Sequence, residues 1–429
     1  MRLKLYILAL AVVFTVSPMP AGTAERPLGG TSSMLTPDRL IAVVLRDNPN
    51  LAEAEEAAFA AAERVQPAGA LDDPVLSYAL APETIGNRNL DTGQRIEVSQ
   101  LFPWPGKLNA RKDAARERAS AAATATESRR LTIIAATKAA FAEWYFVHQA
   151  LRLNTESKRL LENLRAIAES RFAAGRGLQQ DVLQTDVEVA LLENQRFTLE
   201  QQQTAVQARL NRLMNRRPDT DLPNPADLPQ YRPLQPLSAL THNVQHPHPE
   251  LRRLDHLTSE KQADLRLAER ERFPDLRFSG GYNSLWDDDE KRITAGVSVN
   301  IPLNQSRRRA EESAAHAEWR AAEWRLADRR IELHGAIVRT YAEVERAGKS
   351  VLLHRDRLVP LVQNTLDVAT AEYESGAGDF LNVITAERNK LKIDQSMYRA
   401  LADHYRQLAQ LELWLGGPID ASSYEGGSR

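Results

Sequence analysis

The sequence predicts a mostly α chain with a small β part, in which long antiparallel helices and four strands are laid out twice. Three observations carry this. Ala, Leu, Arg, Glu and Gln dominate while Gly numbers 20 and aromatics 6%, a mixture that favours long helices. No Gly or Pro interrupts residues 107–174, a run of 68. Short motifs also recur in order at a spacing near 200 residues.

The repeat is legible motif by motif. Asn48-Pro49-Asn50-Leu51 returns as His248-Pro249-Glu250-Leu251, and Pro74-Val75-Leu76-Ser77-Tyr78 as Pro274-Asp275-Leu276-Arg277-Phe278. Val98-Ser99 with Phe102-Pro103 returns as Val297-Ser298 with Ile301-Pro302. Phe172-Ala173-Ala174-Gly175-Arg176-Gly177 returns as Tyr373-Glu374-Ser375-Gly376-Ala377-Gly378. The organisation read from this is a first copy over 25–229, a second over 230–420, a Pro-rich linker at 218–237 and a tail at 421–429.

Each copy opens with short helices; Thr36 before Pro37 is a capped start. Two strands follow, expected near 74–81 and 94–102, then 274–283 and 292–301. Ile293, Ala295, Val297, Val299 and Ile301 alternate with Thr294, Gly296, Ser298 and Asn300, the period of a strand with one apolar face. Pro103 and Pro302 stand where strand must turn into helix, since proline ends a hydrogen-bond ladder and fixes φ. The run 107–174 reaches about 100 Å as a helix at 1.5 Å per residue. Leu151, Leu153, Leu160, Leu161, Leu164 and Ile167 mark a coiled-coil seam on it. Residues 178–217 and 379–415 are the returning helices. Residues 303–375 are interrupted at Gly335, Gly348 and Pro360, and a bend or bulge is expected there.

The N-terminus reads as an export signal over 1–24: Arg2 and Lys4, an apolar run from Leu5 to Val16, and small residues before a cleavage point after Ala24. No later stretch is apolar enough for a transmembrane helix. Cys is absent, which excludes acylation at an N-terminal Cys, thiol catalysis and thiolate metal sites. Lys plus Arg is 55 and Asp plus Glu 57, net −2; that balance argues against a nucleic-acid partner. No catalytic constellation and no cofactor motif is present, so no enzyme is expected. His242, His246 and His248 cluster near Glu250, but a helix end explains them better than a metal site does. Asp287-Asp288-Asp289-Glu290 beside Trp286 reads as an exposed hairpin loop.

Four strands do not close a barrel, and lipid tolerates no open sheet edge. Membrane strands in this chain would require other subunits. The segment Gln100-Leu101-Phe102-Pro103-Trp104-Pro105-Gly106-Lys107 and the two glycine turns, with Asp181-Val182-Leu183 and Asn382-Val383-Ile384 beyond them, resemble the TolC family of outer-membrane efflux proteins. The Phe-Pro-Trp-Pro-Gly-Lys part looks like the heavy-metal branch, the outer-membrane partners of cobalt–zinc–cadmium or copper–silver exporters.

The resemblance implies a TolC-like duct. Three chains would give a shared twelve-stranded barrel in the outer membrane and a long periplasmic α-barrel. It implies as partners a periplasmic adaptor and an inner-membrane pump of the resistance-nodulation-division type. Adaptor docking would fall at the tips, on Arg171, Gly175, Arg176, Gly177, Glu372, Glu374, Gly376 and Gly378. An entrance gate would fall just inside, at Asp181, Gln184, Tyr373, Asp379, Asn382 and Thr385. The acids the family often places one turn beyond the second glycine are here Asn382 and Thr385; Asp181 or Asp379 would have to stand in. The alternative class is a periplasmic adaptor or a structural coiled-coil protein without a barrel.

Overall fold

The computed structural model describes residues 34–82, 85, 93–242, 248–284 and 292–419. The expected signal segment, His246, the run 287–290 with Trp286, and the tail 421–429 lie outside the described residues, as does the side chain of His242.

Helices α1 (Pro37–Asp47), α2 (Pro49–Glu63) and α3 (Val65–Ala68) lead into strands β1 (Val75–Leu80) and β2 (Gln94–Phe102). Helix α4 (Lys107–Ala173) runs 67 residues and α5 (Gln179–Leu213) returns alongside it. The second half repeats the plan with α6 (Leu237–His242), α7 (Pro249–Arg270), β3 (Leu276–Asn283) and β4 (Ile293–Val299). Then come α8 (Gln305–Leu353), a π turn (His354–Leu358), α9 (Val359–Ser375) and α10 (Phe380–Leu415). These bounds match the expected strands to within two residues.

Of the three positions at which a bend or bulge is expected, Pro360 carries one and the two glycines do not. Gly335 and Gly348 lie inside an unbroken α8, and the irregular turn sits just before Pro360. Proline lacks the N–H that would bond Asp356 and crowds that carbonyl, so one wider turn absorbs the mismatch. Gly348 serves another purpose. A Cβ there would lie 2.3 Å from the Tyr231 ring, so its bare backbone lets the Pro-rich linker lie against the helix. The linker is anchored elsewhere too: Leu35 N–H donates to Asn224 O at 2.8 Å, and Trp144 Nε1–H to Pro223 O at 3.2 Å.

The four strands form one antiparallel sheet in the order β1-β2-β3-β4. The central pair joins the two copies, with Arg95 opposite Asn283 and Phe102 opposite Leu276. β1 and β4 are open edges. Little of the sheet is covered within one chain: every residue of β1 is exposed, Leu76 to 70%, and Ile293 of β4 is 79% exposed. The core lies in the helices instead. One cluster gathers Leu40, Val44, Phe141, Trp144, Val147, Leu210 and Met214 around the middle of α4. A second, toward the glycine turns, gathers Leu161, Leu164, Tyr373, Phe380, Val383 and Ile384. Of the expected seam, Leu153, Leu161 and Leu164 are buried, while Leu151, Leu160 and Ile167 are half-buried against these clusters. No described helix is long and apolar enough to cross a membrane.

Candidate duct joints and helical tips

At the first joint, four residues turn strand into helix. Pro103 follows the last residue of β2 and has no N–H to extend the ladder. The Trp104 N–H donates to Asp275 Oδ1 at 2.8 Å, and its ring stacks on Phe273 at 5.2 Å and 11°. Gly106 holds φ +89°, and a Cβ there would fall 1.2 Å from Arg270 Nη1, so both backbone and space demand glycine. Lys107 begins α4 with its side chain 1% exposed. Its Nζ donates to Asp275 Oδ1 (2.8 Å), Phe273 O (3.0 Å) and Glu271 Oε2 (3.4 Å), which uses all three ammonium donors. Burial pushes the Asp275 carboxyl up, but Lys107 and the Trp104 N–H outweigh it and hold the group below the usual carboxylate range. The segment that resembles the heavy-metal branch therefore has a structural account: it locks the base of β2 to the base of β3.

The second joint is built differently. Pro302 lies between β4 and α8. Asn304 caps α8 by accepting from Arg307 N–H at 3.0 Å, and Asn300 Oδ1 accepts from Asp275 N–H at 2.5 Å. No buried lysine stands at the start of α8.

The two tips share one geometry. Gly175 has φ +69° and Gly376 φ +83°. Arg176 N–H bonds back to Arg171 O and Gly175 N–H to Phe172 O, both at 2.9 Å; Ala377 N–H bonds to Glu372 O at 2.9 Å and Gly376 N–H to Tyr373 O at 3.0 Å. This is the Schellman ending, in which a left-handed residue satisfies the last carbonyls. The second glycine of each pair is there for room. A Cβ on Gly177 would sit 3.0 Å from Arg171 Cβ, and one on Gly378 2.8 Å from Glu372 Cβ.

The expected tip and gate residues fall into distinct environments. Arg176, Glu372 and Glu374 are exposed. Arg171 is half-buried: its guanidinium lies 4.5 Å from the Tyr373 ring centroid and donates to Tyr373 O, so it ties the first tip to the second. Tyr373 is buried against Phe380. Burial raises its phenol, the nearby Asp181 carboxylate adds to this, and Arg171 opposes it. Asp379 caps α10 by accepting from Leu381 N–H at 3.2 Å, and the exposed Thr385 hydroxyl donates to Leu381 O at 2.8 Å. Asn382 is exposed.

Gln184 leads to a contact that sequence reasoning missed. Its Nε2 donates to Glu188 Oε1 at 3.0 Å, and buried Glu188 receives the Arg388 guanidinium through both oxygens. One step up, Gln195 Nε2 donates to Gln395 Oε1 at 3.2 Å. Both pairs join residues 200 apart, one short of the spacing that relates Gly175 to Gly376, so α5 and α10 meet within one residue of like positions of the two copies. Nearby, α4 and α10 enclose a cavity of about 130 Å³ lined by Ser157, Glu387, Lys390 and Asp394. Burial pushes the Glu387 carboxyl up against the Ser157 hydroxyl and Lys390.

His248 stands at a helix end, as expected, but as a buried cap. Its Nδ1 accepts from Glu250 N–H at 3.1 Å and its Nε2 bonds Leu413 O at 3.0 Å. Asn48 does the same 200 residues earlier: its Oδ1 accepts from Asn50 N–H at 3.0 Å and its Nδ2 donates to Leu213 O at 2.8 Å. Among the described residues, no group of three His, Cys, Asp or Glu is placed to hold a metal ion.

Residues 240–417 match the family model of outer membrane efflux proteins. Nodulation protein T of Rhizobium leguminosarum bv. trifolii is 22% identical over 176 residues, 39% of this chain, and the match spans 38% of that relative's length. The fold is that of solved outer-membrane proteins. VceC from Vibrio cholerae superposes with a TM-score of 0.74 at 17% identity, covering 90% of this chain and 97% of VceC. CusC superposes with 0.76 at 16% identity, covering 89% and 92%.

Proposed function

We propose that the chain belongs to the outer membrane efflux protein family, whose model matches residues 240–417, and that it is the outer-membrane channel of a tripartite efflux system. The observation that carries this is the open four-stranded sheet, apolar and exposed, set on helices about 100 Å long. In lipid such a sheet must be closed by other subunits. Three chains supply twelve strands, within the range of membrane barrels; the number three follows the family resemblance. The barrel stands in the outer membrane and the helices extend through the periplasm.

The tips, 171–177 and 372–378, are the adaptor-docking end. Arg176, Glu372 and Glu374 present charge there, and Phe172 and Leu178 present apolar surface. Asp181, Gln184, Tyr373, Asp379, Asn382 and Thr385 narrow the entrance. The protein carries out no chemistry of its own; an inner-membrane pump of the resistance-nodulation-division type drives transport. Heavy-metal cations are the substrate class carried by the Phe102–Lys107 resemblance. Since that segment builds the joint, selectivity is assigned to the pump.

Membrane fractionation tests the placement. A barrel requires detergent for extraction, whereas release by high salt alone would mean a peripheral adaptor or scaffold. Deleting the gene is expected to sensitise cells to cobalt, zinc, cadmium, copper or silver. Sensitivity to organic compounds only would retain the channel and reject the metals. Photo-crosslinkers placed along 171–177 and 372–378 should capture the adaptor; capture only near the sheet would reject tip docking.

A further inference from the structure

The cavity of about 130 Å³ between α4 and α10 is walled by both copies, since α4 belongs to the first and α10 to the second. Two buried carboxylates line it from α10: Glu387 is 5% exposed and Asp394 8%. Seven residues apart, they stand two turns from each other on one helix face. Asp394 is answered by Lys390, whose Nζ donates to Oδ2 at 2.7 Å. Glu387 is answered only on one side. The Ser157 hydroxyl of α4 donates to its Oε1, while its buried Oε2 has no hydrogen-bond partner. Glu156 of α4 stands on the rim and is already paired with Arg152 at 2.9 Å. A buried carboxylate oxygen is costly unless a cation or a proton meets it. Two buried acids against one ammonium leave this wall one positive charge short.

We propose that the cavity binds one small singly charged cation, an alkali-metal or ammonium ion, on Glu387, and that this ion ties α10 to α4. A single positive charge balances the wall. A divalent ion would exceed that balance, and no group of three acids or histidines stands there to complete a cage for it. The oxygens of Glu387, Asp394 and Ser157 are hard donors, which suit such an ion and do not suit soft metals. The space is several times what one water needs, so the ion keeps part of its hydration shell. A way in is also present. A wider cleft shares Leu160 and Lys390 with the cavity, and its other charged groups, Asp367 and Glu374 of α9, are both acids. An acidic approach concentrates cations. Burial pushes the Glu387 carboxyl up, with Asp394 adding to this and Ser157 and Lys390 opposing it. A proton and the cation therefore compete for the same group. The site lies within one chain and does not depend on the channel reading.

Thermal unfolding of the full-length protein in detergent at pH 8 tests this. The probes are potassium, sodium and ammonium chloride, with N-methylglucamine chloride, whose cation is too large to enter, holding the ionic strength constant. A small cation is expected to raise the unfolding midpoint and to saturate, as binding to the folded state alone requires. A rise with potassium or sodium identifies a metal ion, and a rise with ammonium alone identifies an ammonium ion. Glu387→Gln, neutral at the same size, should lose the rise. Glu387→Asp keeps the charge and shortens its reach, so it should need more cation for half the effect. Glu156→Gln on the rim should behave as the parent does. Where Glu387→Gln does not fold, Asp394→Asn carries the same comparison and should also lose the rise. Equal midpoints in all four salts overturn the proposal and leave a protonated Glu387 facing water. A rise that both Glu387→Gln and Asp394→Asn retain overturns it as well, since the ion then binds elsewhere.

Discussion

Lys107 is a charged residue with no water around it, and its three acceptors are what make that tolerable. Leaving Asp275 and the Phe273 carbonyl without it would cost about 3 kcal/mol, the scale for breaking a buried pair. Lys107→Met is therefore expected to lower the unfolding temperature clearly, and the same substitution at exposed Lys349 to change it little; thermal denaturation in detergent checks both. At the tips, Gly376→Ala forces a left-handed alanine and is expected to cost about 1 kcal/mol. Gly378→Ala forces helix displacement instead, so limited proteolysis should find it the looser tip. His248 offers a pH test. Capping needs the neutral ring, and burial lowers its pKa. The contribution is thus complete above the ordinary value near 6.5 and is lost as pH falls from there toward the lower folded value. His248→Asn, which copies Asn48, should flatten the stability profile between pH 7 and 5.

At the scale of elements, the two helical hairpins share the core cluster of Leu161, Leu164, Tyr373 and Ile384, and polar side chains add links between them at its edge. Arg171 on Tyr373 is one such link at the tip, and Glu188 with Arg388 is another further in. A partly exposed cation–π contact is worth about 1 kcal/mol, so Arg171→Ala should leave overall stability almost unchanged while raising protease sensitivity at 171–178 and 372–379. Conductance measured in planar bilayers should rise if those links also hold the entrance narrow. Equal tip proteolysis in variant and parent would show that Arg171 does not tie the hairpins.

For the whole molecule, burial is divided unevenly. The helical shaft has a core within one chain; the sheet does not. The single chain is therefore expected to be helical and stable in its shaft before the barrel closes. A second pH effect belongs here. His404 in α10 is buried edge-on to Tyr231 of the linker, and burial alone lowers its pKa to about 4. Protonation favours the unfolded chain as pH falls from 6.5 toward 4, with a full cost of about 3 kcal/mol at 1.36 kcal/mol per pKa unit. Helical signal followed against pH should show this loss, and His404→Phe should remove it.

How much was legible beforehand follows from the kind of signal each feature leaves. The helices from 107, 179 and 380 were marked by the absence of Gly and Pro, and the strands by period-two alternation; both are local. The tip glycines were marked by their repeat. Asn48 and His248 stood in the first recurring motif, yet their shared capping role needed coordinates, because the Leu213 and Leu413 carbonyls they reach are 165 residues away. Arg171 was expected only as a docking residue at the tip; its half-buried place on Tyr373 depends on how two hairpins lie side by side. A bend or bulge was expected at Gly335, Gly348 and Pro360, and only the proline carries one, because glycine permits an irregular turn whereas proline forces it.

By itself the sequence determined the element order, the lengths of the helices and the need for partners around four strands. Each follows from backbone geometry and from counting hydrogen bonds that lipid cannot supply. The tertiary structure alone decided that Lys107 and Asp275 lock one copy to the other and that Gly106 and Gly348 are needed for room. It also decided which like positions of the two copies meet. Those are contacts between residues far apart in the chain, and no local pattern encodes the angle at which two long helices cross.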